Sequence, residues 1–230
     1  MPTPFKLIDV QPGFVVICKA PGVAFHSEAG QPGLVPQVES ELGLGKLFPV
    51  HRLDNMTSGL LLLARDAKSA EQINQQFRQR RVEKYYLALS DRKPSKKQGL
   101  VCGDMVKGRR GSWKLLKTQE NPAKTRFFCY SLSPGIRLFV LKPQTGRTHQ
   151  LRVMMKSLGA PILGDQRYYP DCAEGQQDRG YLHAYMLMFE IDGKAYRYLA
   201  EPEHGRLFIN ELVKQKLVQI GPVDALGWPS

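Results

Sequence analysis

The pattern of apolar and polar positions predicts a chain with more strands than helices. FVVIC at 14–18 and LLLLA at 60–64 are apolar without alternation, which is typical of strands covered on both faces. YYLALS at 85–90 predicts a strand with Tyr86 on the face opposite the leucines. Short turns join several of these segments, including Asp192–Gly193 in a closing hairpin. The predicted strands are 5–19, 59–65, 85–90, 125–132, 136–142, 181–191 and 194–200.

Apolar residues at helical spacing predict a smaller number of helices. Asp66 is a candidate N-cap, and Gly159 a candidate helix end. The predicted helices are 34–44, 66–81, a segment whose apolar face contains Leu151, Met154, Met155 and Leu158, and 203–216, with a loose tail over about 217–230. Together the elements predict the α+β class, with a mixed, mostly antiparallel central sheet and flanking helices and loops. No repeat or linker is visible, so we expect residues 1–230 to form a single domain.

The charge of the chain is high and unevenly placed. Lys and Arg number 33 against 21 Asp and Glu, which gives a net charge of +12. Between Arg78 and Lys117, basic residues outnumber acidic ones by thirteen to three. The connection 91–118 is therefore either a solvated loop or a basic hairpin that meets a polyanion. The neighbouring aromatic residues Tyr85, Tyr86 and Trp113 favour nucleic acid as the partner.

Several classes of function find no support in the sequence. The cysteines at 18, 102, 129 and 172 and the histidines show no metal-ligand spacing, so we expect no metal. There is no P-loop and no G-x-G-x-x-G, so we expect no nucleotide cofactor. The N-terminus lacks a signal peptide, and no apolar run is long enough to cross a membrane. These absences predict a cytoplasmic protein.

FPVHRLDNMTSGLLLLARD at 48–66 carries the strongest candidate chemistry. Asp54 lies before a turn predicted at Thr57–Gly59, so its carboxylate is either a turn acceptor or a nucleophile or base. In the second case it needs a cation, and Arg52, Arg147 and Arg152 are the candidates. His51 is expected to orient the loop by a hydrogen bond.

Two further segments are open to two interpretations. Tyr86 is either a core aromatic or a surface on which a base stacks. GRTHQLR at 146–152 either simply opens a helix or uses its arginines to hold phosphate or the Asp54 carboxylate. No second carboxylate motif accompanies Asp54, so hydrolysis of a glycoside by a carboxylate pair is not indicated.

Taken together, these segments resemble the RluA family of RNA pseudouridine synthases over roughly residues 8–205. HRLDNMTSGLLLLARD is similar to the family's catalytic motif, and VEKYYLALS to its Lys-x-Tyr-x-Ala segment. LKPQTGRTHQLRVMMKSLGAPILGDQRY is similar to the third motif, and YLHAYMLMF to the Leu-His-Ala strand. The motifs occur in the family's order.

The resemblance implies a role for each matching residue. Asp54 would be the catalytic aspartate, Arg152 its ion-pair partner, and Tyr86 the aromatic that stacks on the target uracil. The remaining matches would contact substrate: Leu151 under the base, Arg52 in the RNA stack, and Arg147 and His149 at the motif or the RNA backbone.

The resemblance also implies an isomerase that uses no cofactor, acts on transfer or ribosomal RNA, and works as a monomer. Many relatives carry an N-terminal S4 domain, and we expect none here. The absence of that domain favours transfer RNA slightly. Two alternatives stay open: an RNA-binding protein or RNA chaperone of the same fold without activity, and, on charge alone, a protein that binds DNA.

Overall fold

The fold is described from a computed structural model, over residues 3–27, 30, 32–169 and 177–229. The strands are β1 (Phe5–Val10), β2 (Phe14–Lys19), β3 (Phe48–Pro49), β4 (Ser58–Ala64), β5 (Glu83–Ser90), β6 (Gln98–Gly103), β7 (Met105–Lys107), β8 (Trp113–Leu115), β9 (Ala123–Ser133), β10 (Ile136–Pro143), β11 (Leu182–Ile191) and β12 (Lys194–Leu199). The α-helices are α1 (Leu34–Leu42), α2 (Ala67–Arg78), α3 (Gln150–Ser157) and α4 (Glu211–Ile220).

The predicted elements form where local signals mark their ends. Asp66 caps α2, since its carboxylate accepts the Ser69 backbone N–H at 2.7 Å. Gly43 ends α1 in the left-handed conformation at φ 61°. Asp192 and Gly193 both have positive φ and join β11 to β12 as predicted.

The C-terminal region differs from its prediction. The helix predicted at 203–216 instead begins at Glu211, where the Asn210 side chain caps it, and it extends to Ile220. The segment predicted as a loose tail contains the end of α4 and a 3-10 turn at Val223–Ala225. Aromatic packing holds the segment, because the Trp228 ring lies 5.7 Å from Tyr85 and 5.1 Å from Phe128. The prediction of a loose tail is therefore wrong for the described residues.

The chain divides into two compact units. Unit one comprises Met1–Glu83 and Ala184–Pro202, and unit two comprises Lys84–His183 and Glu203–Ser230. That the chain acts as a single domain stays a prediction.

Unit one contains a sheet with a densely packed core. Its strands follow the order β1-β2-β4-β11, with β12 paired to β11 and β3 to β4. All seven residues of β4 are buried, which confirms that both of its faces are covered. α2 places Ala70 and Ile73 against Phe14 and Leu62 in this core.

Unit two is a second antiparallel arrangement. Its strands follow the order β5-β10-β9-β6, and β7 and β8 form a separate two-stranded hairpin. The basic connection 91–118 therefore contains a hairpin, one of its two predicted forms. The α+β class, with a mixed and mostly antiparallel central sheet, is confirmed.

Candidate active site

His51 anchors the loop that carries the candidate carboxylate in unit one. β3 ends at Pro49, which pairs with Leu63 of β4. Beyond it, the Leu62 backbone N–H donates to His51 Nε2 at 3.0 Å, so the imidazole takes the place of the next strand carbonyl. The ring also lies 5.2 Å from that of Phe77 on α2. His51 orients the loop by a hydrogen bond, as predicted.

Asp54 is the first residue of a tight turn. The Thr57 backbone N–H donates to the Asp54 carbonyl at 3.0 Å, so the turn spans 54–57 rather than the predicted Thr57–Gly59. Gly59 already belongs to β4, with φ 107°. A Cβ there would lie 2.2 Å from the Ala184 carbonyl oxygen, so only glycine permits this close approach of β11. The start of the strand that follows the Asp54 turn is thus fixed against β11.

Lys19 also binds the loop that carries Asp54. Its side chain is fully buried at the end of β2. The ammonium donates to the carbonyls of Ala20, Val23 and Asn55 at 2.9, 2.9 and 3.1 Å. The three N–H donors of the ammonium each have a carbonyl acceptor, and the bond to Asn55 ties the residue after Asp54 to the end of β2.

Lys19→Met is expected to lower the free energy of unfolding by about 2–3 kcal/mol. The substitution keeps the length of the side chain but leaves three carbonyls without their donor. Urea unfolding measures the change. Lys68→Met, at an exposed position on α2, is the matched control and should change stability by less than about 0.5 kcal/mol. Equal stability of the two variants would contradict the anchoring role.

Arg52 extends from the same loop on its exposed side. Its Nη1 lies 3.4 Å from His26 Nε2, in the segment after β2. Arg52 and Asp54 therefore share one rigid loop.

Unit two carries Tyr86 on β5. Tyr86 is buried, with 9% of its surface exposed, and pairs with Leu141 of β10. Lys84 lies two residues earlier and so on the same face of the strand. Burial lowers the pKa of the Lys84 ammonium to about 8. Its Nζ would lie 3.8 Å from a Cβ at Gly146, so this face of β5 reaches the loop before α3.

Gln150 fixes that loop. Its amide oxygen accepts the Thr145 hydroxyl at 2.7 Å and the Arg147 backbone N–H at 3.0 Å. Its amide nitrogen donates to the Lys124 carbonyl at 3.1 Å and the Thr125 hydroxyl at 2.9 Å. A buried amide with four bonds pins the GRTHQ segment to the start of β9.

His149 and Arg147 occupy the two ends of this fixed loop. His149 adopts the left-handed conformation directly before α3. Its Nδ1 lies 2.9 Å from the Tyr168 hydroxyl. Arg147 is exposed, and its guanidinium bonds the Asn121 side chain.

Arg152 is buried on α3 in a bidentate ion pair. Its Nε and Nη2 donate to the two oxygens of Asp165 at 2.7 and 2.8 Å, and Asp165 is fully buried. The guanidinium also lies over the Tyr168 ring, 5.0 Å from its centre. Leu151 is likewise buried on α3.

The structure thus groups the predicted residues by unit. Arg52 and Asp54 share one loop of unit one, and the other five lie in unit two: Tyr86, Arg147, His149, Leu151 and Arg152. The ion pair between Asp54 and Arg152 stays a prediction.

In unit two, two residues that shape the site were not predicted: Gln150 and Asp165. Gln150 stands inside the GRTHQLR motif, and Asp165 in the GDQRY segment that follows. Both were visible as part of the third motif, but nothing in the spacing indicated which group each would bind.

Two absences hold for the described ranges. No cluster of three or more His, Cys, Asp or Glu side chains with the geometry of a metal site occurs there, and Cys172 lies outside those ranges. Among the described helices, none combines the length and apolar character that a membrane span requires.

Comparison with known proteins identifies the family. The profile described as RNA pseudouridylate synthase matches residues 13–157. An uncharacterized RNA pseudouridine synthase of Haemophilus influenzae is 47% identical over 89% of this chain and 90% of its own length. The dual-specificity RNA pseudouridine synthase RluA of Escherichia coli is 38% identical over 66% of this chain and 67% of its own. The solved structure of human RNA pseudouridylate synthase domain containing 1 has a TM-score of 0.77, at 24% identity, and covers 98% of this chain and 97% of that one.

The fold is therefore that of the pseudouridine synthases, a class of RNA-modifying isomerases. Within that class the chain belongs to the RluA family.

Proposed function

We propose that the protein isomerises a specific uridine in structured RNA to pseudouridine, with Asp54 as its catalytic carboxylate. The observation that carries this proposal is the Asp54 turn. A buried lysine fixes one side of it and an imidazole the other. A carboxylate placed so rigidly does not need to be reorganised during the reaction.

The reaction balances without any further reactant. The C1′–N1 bond breaks, the uracil turns, and C5 joins C1′, while the proton leaving C5 is matched by one gained at N1. Asp54 either attacks C1′ or removes a proton from the sugar. Because product and substrate are isomers, the proposed reaction uses no cofactor.

The substrate contacts follow from the family motifs. Tyr86 stacks on the target uracil, with Leu151 beneath it. Arg52, exposed beside Asp54, enters the RNA stack and helps to expel the nucleotide, a step that costs a few kcal/mol. Arg152 keeps the Asp54 carboxylate ionised, and Arg147 and His149 support the loop or the RNA backbone.

The proposed substrate is a stem-loop of transfer or ribosomal RNA, with transfer RNA favoured. The net charge of +12 supports a large anionic substrate. We further propose that the protein acts as a cytoplasmic monomer.

Incubation of the purified protein with unmodified transfer RNA and ribosomal RNA transcripts tests the proposal. Pseudouridines are then mapped by carbodiimide modification and reverse transcription. We expect a new pseudouridine at one or a few loop positions, and none in matched transcripts in which those uridines are replaced by cytidine. RNA that binds tightly yet gains no pseudouridine in either pool would contradict the proposal and favour an RNA chaperone.

A further inference from the structure

Unit two contains a cavity to which the proposed function assigns no ligand, and Arg147 is the one proposed substrate contact in its lining. Its volume is about 670 Å³, within the range of ordinary ligand pockets. It lies between the β7–β8 hairpin and the loop before α3. Its lining includes Met105, Val106, Trp113, Leu116, Asn121 and Arg147. Neither Tyr86, Leu151 nor Arg152 lines it, so it is separate from the residues proposed to hold the target uridine.

The cavity has a rigid floor. The Leu116 backbone N–H donates to the Asp104 carbonyl at 2.8 Å, and the Asp104 N–H to the Thr118 carbonyl at 2.9 Å. The Asp104 carboxylate accepts the backbone N–H groups of Glu120 and Asn121 at 3.0 and 2.8 Å. The Thr118 hydroxyl and these N–H groups lower the pKa of Asp104. The Asp104 carboxylate thus serves the loop rather than facing a ligand alone, and the second acid of the lining, Glu120, is exposed.

Trp113 is fixed in the wall of the cavity. Its backbone N–H donates to the Tyr168 hydroxyl at 2.9 Å, and Tyr168 packs under the guanidinium of Arg152. The ring is only partly buried, although indole is the largest apolar side chain. Val106 and Leu116 beside it are also 39% exposed each. Exposed apolar groups around a concave wall are typical of a binding surface.

The surroundings of this apolar wall are basic. Lys107, Arg109, Arg110, Lys114 and Lys117 lie within residues 104–117, against Asp104 as the one acid there. Arg147, which is bonded to Asn121, also lines the cavity. An aromatic wall that belongs to a basic hairpin and lines a cavity together with Arg147 matches a nucleobase with its phosphates far better than it matches an apolar peptide.

We propose that this cavity binds one unpaired nucleotide of the RNA substrate, distinct from the uridine that is isomerised. The base stacks on Trp113, the amide of Asn121 and the hydroxyl of Thr148 face its polar edge, and the phosphates lie toward Arg147 and the hairpin. A base paired within a helix cannot reach such a wall, so the subsite selects loops over duplexes. The proposal rests on RNA being the substrate.

Tryptophan fluorescence and binding measurements on the full chain test this subsite. The probes are unfractionated transfer RNA, a single-stranded oligoribonucleotide of mixed sequence, and a fully paired RNA duplex. The difference in fluorescence between wild type and Trp113→Phe isolates Trp113 from Trp228. We expect the first two RNAs to quench this difference signal and the duplex to leave it unchanged. Trp113→Ala should weaken binding of the unpaired RNAs by about 5- to 100-fold, with little effect on the duplex.

Lys117→Ala is the control for charge alone. It should weaken the binding of all three RNAs to the same extent. It should also reduce the slope of the logarithm of the binding constant against the logarithm of the salt concentration by slightly less than one unit. Trp113→Phe should retain wild-type melting and most of the affinity, which separates stacking from folding. Quenching by the duplex, no quenching by any RNA, or an equal loss of affinity for all RNAs in Trp113→Ala would overturn the subsite.

Binding and isomerisation give separate readouts. If pseudouridine forms but Trp113 is not quenched, the subsite is wrong and the proposed function stands. If Trp113 is quenched but no pseudouridine forms, the proposed function is wrong and the subsite stands.

Discussion

Asp54→Asn is expected to reduce pseudouridine formation by more than about 10³-fold while RNA affinity stays within a factor of about three. Asparagine is nearly the same size and suits the first position of a turn, so the 54–57 turn persists. The amide cannot act as a nucleophile or base, which removes the chemical step alone. The measurement is single-turnover formation of pseudouridine, with RNA binding measured separately.

Asp192→Asn is the matched control for this substitution. Asp192 has φ 48° in the turn between β11 and β12, a conformation that asparagine accepts readily. The Asp192 carboxylate accepts the Gln72 amide at 3.1 Å, and asparagine keeps an oxygen for that bond. The control should retain wild-type activity. Comparable activity in Asp54→Asn and Asp192→Asn would rule out Asp54 as the catalytic carboxylate.

Local signals were enough to predict many element boundaries. Asp66 caps α2 because its short side chain accepts a backbone N–H in the first turn that has no partner within the helix. The two residues of this bond, Asp66 and Ser69, are only three positions apart. Asp192–Gly193 forms a turn because its two residues accept positive φ. Such features depend only on neighbours along the chain, so a single sequence contains them in full.

Contacts between distant segments were not predictable in the same way. Trp228 holds the C-terminal segment through Tyr85 and Phe128, which stand a hundred or more residues away. Asp165 binds Arg152 from thirteen residues further along the chain. A buried arginine needs an anionic partner, but the spacing of residues along the chain does not show which of several acids the fold will place beside it.

The supporting contacts of the candidate site also join distant segments, so most of them were not predictable from the sequence. The motif resemblance named Asp54, Tyr86 and Arg152, and His51 was predicted to orient the Asp54 loop. The structure adds Lys19 as a second support of that loop and Asp165 as the partner of Arg152. These supporting residues carry no chemistry of their own in the proposed reaction. They hold the reacting groups in one geometry through hydrogen bonds between different strands, helices and loops.

The Arg152–Asp165 pair should give the largest loss of stability among the substitutions considered. Asp165→Asn is expected to lower the free energy of unfolding by about 3–5 kcal/mol, because a buried guanidinium loses its anion and faces an amide N–H₂ group. In the wild-type protein the Asp165 carboxylate accepts the Tyr168 backbone N–H at 3.2 Å, and the asparagine oxygen of the variant can still accept that bond. Asp91→Asn is the exposed control, and it should cost less than about 1 kcal/mol.

Arg152→Met/Asp165→Asn separates the charge from the packing. Removing the cation as well leaves no unpaired charge in the core, so the double variant should be more stable than Asp165→Asn alone. Pseudouridine formation should nevertheless stay lost, since Arg152 is proposed to keep Asp54 ionised. Urea unfolding and single-turnover assays on the same preparations measure both effects. A double variant no more stable than Asp165→Asn would show that the penalty is not an unpaired charge. Recovery of activity along with stability would mean that Arg152 serves only the fold.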